Sequence, residues 1–121
     1  MATLIILATT GKGAWNRIYK LLNVFDWEKV LVITNKFGYE KLEFKESKVE
    51  KIEINFNAPY DYVINEIKEK VKNYNLIEVA LNISSGEGKE HVALIVALIK
   101  LGISLQFVDL EDNELKIIGN D

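Results

Sequence analysis

Short apolar runs alternate along the chain with longer amphipathic ones. Thr3–Ala8 is apolar almost throughout, which predicts a strand buried on both faces, the habit of parallel sheets. Trp15, Ile18, Leu22 and Phe25 recur at helical spacing and predict a helix over 14–24. Lys29–Thr34 reads as a second buried strand. Residues 35–46 are polar and poorly patterned, so they read as a loop carrying Phe37, Gly38 and Tyr39. From 48 to 56 the chain alternates, with Ile52, Ile54 and Phe56 against Lys51, Glu53 and Asn55. That is a third strand with one wetter face.

Pro59 suits the first turn of a helix, and Tyr60, Val63, Ile64, Ile67 and Val71 supply its apolar stripe. A fourth strand over 76–83, a loop over 84–88 and a helix over 89–101 follow, with Gly102 as the stop. A fifth strand over 103–108, a turn over 109–113 and a short strand over 114–118 close the chain as an edge hairpin. The alternation of strands and helices with short connections predicts an α/β, Rossmann-like fold. Its central sheet is mostly parallel, with helices on both faces and a C-terminal β-hairpin.

The last predicted helix is apolar on every side, from Val92 through Ile99. Two readings follow. The helix sits centrally, partly covered by the C-terminal hairpin, or its outer face meets a second copy of the chain.

A length of 121 residues fits one domain. Half the residues, 49 %, are hydrophobic and 27 % are charged, a globular balance that argues against disorder. The absence of cysteine excludes a disulfide framework, a thiolate zinc site and a cysteine nucleophile. A net charge of −3 disfavours long nucleic acids as partners but leaves room for a small anion held locally. Neither a signal peptide nor an apolar run of bilayer length is read, so a cytoplasmic protein without a membrane partner is expected.

Two loops carry candidate chemistry. Thr9, Thr10, Gly11, Lys12 and Gly13 lie between the first strand and the first helix. Ligands bind beyond the carboxyl ends of strands in open α/β sheets. Glycines there let backbone N–H groups approach, and the helix start favours an anion. The alternative is a tight turn with a threonine cap. The spacing matches neither GxGxxG nor a P-loop. The second loop, Asn82, Ser84, Ser85, Gly86, Glu87, Gly88 and Lys89, has the same place in its own unit. A cation in a first helical turn opposes the helix dipole. Lys89 therefore either faces an anion or is a solvated lysine offset by Glu87 and Glu90. If the first and fourth strands are neighbours, both loops converge on one ligand, plausible as a phosphate-bearing one.

His91, the single histidine, reads as a partly exposed structural residue or a general base. No metal or cofactor is expected, because neither cysteines nor spaced acids accompany it. Trp15 fits the core, whereas Phe37 and Tyr39 are candidates for stacking on bases.

The run from Asn82 to Lys89 before an apolar helix resembles the signature of CARF domains, the CRISPR-associated Rossmann-fold sensors. Asn82, Ser84, Gly86 and Lys89 match that signature in type, and the loop 9–13 matches the family's other ligand loop in place and character. The resemblance implies a homodimer binding a cyclic oligoadenylate or related nucleotide, either sensing it or degrading it as a metal-independent ring nuclease. In the second case Lys89 would stabilise developing charge, while Thr10 and Ser84 would position the phosphate or ribose.

Overall fold

The computed structural model describes residues 2–9 and 15–119. Their order is β1 (Thr3–Ala8), α1 (Trp15–Val24), β2 (Lys29–Thr34), α2 (Lys36–Lys41), β3 (Val49–Glu53), α3 (Tyr60–Val71), β4 (Glu78–Asn82), α4 (Gly88–Lys100), β5 (Ser104–Glu111) and β6 (Glu114–Ile117). Among the described residues the strands form one six-stranded sheet in the order β3-β2-β1-β4-β5-β6. All neighbours run parallel except β5 and β6, which pair antiparallel as the C-terminal hairpin.

The alternation within each strand divides the core. Ile5, Leu7, Leu31, Ile33 and Leu81 face the side covered by α3 and α4. Leu4, Ile6, Ala8, Val30 and Val32 face the side where Trp15, Ile18, Leu21 and Leu22 of α1 pack. Each central strand is therefore buried on both faces, which explains its unbroken apolar run. The direction of strand addition reverses between β1 and β4, and the helices that follow these two strands, α1 and α4, pack on opposite faces of the sheet. This is the switch point at which open α/β sheets take ligands.

Three sequence expectations need correction. Residues 35–46 are not all loop, because α2 lies within them. Six residues are too few to show helical periodicity, and the helix is set by its cap: Asn35 accepts from Gly38 N–H at 3.0 Å. Pro59 is the cap position before α3 rather than its first turn. Third, the hairpin does not cover α4. Leu110, Leu115 and Ile117 pack with the α1 cluster on the opposite face of the sheet. On α4, Ala93, Leu94, Ala97 and Leu98 are buried, whereas Val92 and Ile99 are 49 % and 60 % exposed.

Among the described residues no helix is long and apolar enough to cross a membrane.

Candidate functional site

The carboxyl ends of β1 and β4 lie side by side, with Ile6 opposite Asn82 in the ladder. Thr9, just beyond β1, joins the two connections. Its N–H donates to Ser85 Oγ at 3.3 Å, and its hydroxyl donates to Glu90 Oε1 at 2.6 Å. Its carbonyl accepts from Asn35 Nδ2 at 3.2 Å, and Thr34 Oγ1 donates to Ala8 O at 2.6 Å. The end of β1 is thus tied to β2 on one side and to the β4 loop on the other. Thr10, Gly11, Lys12 and Gly13 lie outside the described residues.

The β4 loop is organised by its own polar groups. Asn82 is buried, and its amide donates to Val108 O at 2.9 Å and to Asp109 Oδ1 at 3.2 Å. Its oxygen accepts from Ser84 Oγ at 2.8 Å and from Ser84 N–H at 3.3 Å. The side chain of Asn82 therefore stitches β4 to β5 and shapes the turn. Ser84 stays exposed at the loop surface and Ser85 is buried beneath it. Gly86 has a φ of +96°, and a Cβ there would lie 2.6 Å from Leu7 Cδ2 and 2.9 Å from Thr9 Oγ1. Glycine at this position lets the loop lie against the end of β1.

The start of α4 is capped from within. Glu90 Oε1 accepts from Glu87 N–H at 2.8 Å as well as from Thr9, placing a carboxylate against the positive end of the helix. His91 Nε2 lies 2.9 Å from Ser85 O. A carbonyl only accepts, so Nε2 carries the proton and the ring holds the loop.

Lys89 does not point across this edge toward β1. Its ammonium donates to Ala58 O at 2.6 Å and lies 5.4 Å from the centre of the Tyr60 ring. It ties the start of α4 to the start of α3 and offsets its unfavourable place at a helix N-terminus through those contacts. Phe37 stands on α2 with its ring 5.7 Å from that of Trp15, at the first residue of α1. It is exposed beside the first residue of α1. Tyr39 is displaced from it, over Lys51 of β3, two strands from β1.

Sequence reasoning passed over several groups that the fold brings here. Glu90 reads in sequence as a surface charge. Arg17, the one arginine in the chain, reaches across the end of β5. Its Nε donates to Asp109 Oδ1 at 3.0 Å and its Nη2 to Leu110 O at 3.0 Å. Its Asp109 partner lies 92 residues away, so no local pattern could have signalled the pair. The described part of this edge holds Glu87, Glu90 and Asp109 against Arg17, with Lys89 drawn toward α3. It offers hydroxyls, backbone donors and fixed carboxylate acceptors rather than a dense cationic cradle. No protein-family model matches the chain, and no curated protein is significantly similar to it.

Proposed function

We propose that this chain is a CARF-like nucleotide-sensing domain that takes a cyclic oligoadenylate at the edge where β1 and β4 part. It works as a pair of identical copies joined through the outer face of α4. One observation carries the reading: Thr9 and Ser85 are in direct contact across the sheet's switch point. Thr9 and the β4 loop, parts of the two loops that resemble ligand loops in sequence, therefore meet at the place where this architecture receives ligands. Arg17, on α1, brings a guanidinium to the β5 side of this edge, where it is paired with Asp109. The uncovered stripe of Val92 and Ile99 supports a second copy as partner.

The placement of Lys89 favours sensing over cleavage. Stabilising charge that develops on a phosphate requires the ammonium at that phosphate. Here it is engaged with Ala58 O and the Tyr60 ring. The test is calorimetric titration with cyclic tetra- and hexa-adenylate, followed by chromatography after long incubation. Binding of one ring without turnover is expected. Absence of binding to either ring overturns the reading, and turnover overturns its non-catalytic form.

A further inference from the structure

A cleft of about 690 Å³ lies at the amino ends of the parallel strands, the opposite end of the sheet from Thr9 and the β4 loop. Ala80 and Val108 floor it on the α1 side of the sheet, and Leu115 and Ile117 of the hairpin continue that floor. Trp27 is a fixed wall: it is buried, and its indole N–H donates to Leu21 O at 2.8 Å. The Phe25 ring stands 4.7 Å from the Trp27 ring, centre to centre, and is 43 % exposed. On another lip Ile77 is 81 % exposed, the most open large apolar side chain among the described residues. A concave apolar floor with open apolar lips is surface that an apolar ligand removes from water. The volume falls within the range of about 300–1,000 Å³ usual for sites that hold small organic molecules.

The charge around the cleft selects the sign of its ligand. Glu28, Lys29 and Glu78 line it. The Lys29 ammonium is matched by Glu50, 2.7 Å away. Among the described residues Glu28 and Glu78 take part in no ion pair. Two uncompensated carboxylates thus border a space with aromatic walls. Carboxylates attract a cation by charge, and aromatic rings attract it through their electron-rich faces. An anion is repelled by the same groups. We propose that this cleft binds an organic cation with an apolar body, an aromatic or alicyclic amine. The body lies on the floor against Phe25, and the ammonium sits at the Glu28 and Glu78 side. Gln106, also at the cleft, adds an amide oxygen that accepts from an ammonium. The site is independent of the nucleotide reading above and shares no residue with it.

The experiment follows the backbone amide resonances of the whole chain while three ligands with one ring system are titrated in at neutral pH. They are naphthylmethylamine, naphthalenemethanol and naphthoate, a cation, a neutral molecule and an anion. The amine should shift the amides of Ala80, Val108, Leu115 and Ile117 and bind about threefold to tenfold more tightly than the alcohol, the range of one or two exposed ion pairs. The carboxylate should bind most weakly. In a Glu28→Gln, Glu78→Gln double variant the advantage of the amine should fall below about twofold, while the alcohol binds as before. Absence of saturable binding by the amine, or shifts centred elsewhere on the chain, removes the site. Equal binding of amine and alcohol, or tightest binding of the carboxylate, overturns the assignment of a cation. Shifts at the cleft that follow protein concentration without any ligand give the space to a second copy and overturn the proposal as well. The ranking of the three ligands on the unmodified chain stands whether or not the double variant folds.

Discussion

At Gly86 a left-handed backbone and a crowded α-carbon coincide. Besides Leu7 and Thr9, an added Cβ would meet Glu90 Oε1 at 2.8 Å. Gly86→Ala should therefore destabilise the protein by about 1–3 kcal/mol. Two residues on, the outcome reverses. A Cβ at Gly88 meets nothing within 4 Å, and its φ is not left-handed. Gly88→Ala should be neutral or stabilising by up to about 1 kcal/mol. Urea unfolding of the two variants beside the parent reads both effects, and equal destabilisation would contradict the account of the loop. The sequence marks both glycines as loop residues but cannot separate them. The distinction depends on Leu7 of β1 and Thr9 just beyond it, almost 80 positions earlier.

Among elements, the central strands were the most legible, because burial on both faces leaves an unbroken apolar run. Thr3–Ala8 and Lys29–Thr34 coincide with the expected bounds. The short helix α2 was illegible because it is held by the Asn35 cap and by Gly38 lying against Thr34 and Ala8, not by its own periodicity. In the candidate site, the meeting of Thr9 with the β4 loop was legible once β1 and β4 were taken as neighbours. The direction of Lys89 was not, since it depends on where α3 begins. One inter-element tie gives a pH signature. Glu50 of β3 pairs with Lys29 of β2 at 2.7 Å, and the Tyr74 hydroxyl, in the turn after α3, donates to the same carboxylate. The Lys29 and Tyr74 bonds hold the Glu50 carboxyl below its ordinary value. Burial, then the bond to Glu50, pushes the Tyr74 hydroxyl up to about 12. The Glu50 contribution is complete above the ordinary carboxylate range and is lost as pH falls through its lowered folded value. The Tyr74 contribution is complete below about 10 and is lost as pH rises from there toward about 12. Thermal unfolding across pH should show both declines. Tyr74→Phe should flatten the alkaline one, and an unchanged alkaline profile in that variant would refute the assignment.

For the whole molecule, the decisive surface is the outer face of α4. Val92, Ile95, Val96 and Ile99 recur on one side of the helix, and its two ends are the most open. Ile99→Lys places a cation in the last turn, where the helix tolerates it, and should leave stability within about 0.5 kcal/mol of the parent. It should weaken pairing at least about tenfold, the effect of about 1.4 kcal/mol of lost apolar contact, as measured by sedimentation equilibrium. A parent protein that stays single at high concentration would end the pairing half of the proposed function. The hairpin has a bearing on what else the molecule can build. It gives one margin of the sheet to β6, only four residues long, with Glu114 and Lys116 exposed on it. The other margin, β3, is five residues long and carries Glu50, Lys51 and Glu53. Short, charged borders discourage the lateral accretion of strands that leads to fibres, so self-association should plateau at a finite particle size however concentrated the solution becomes.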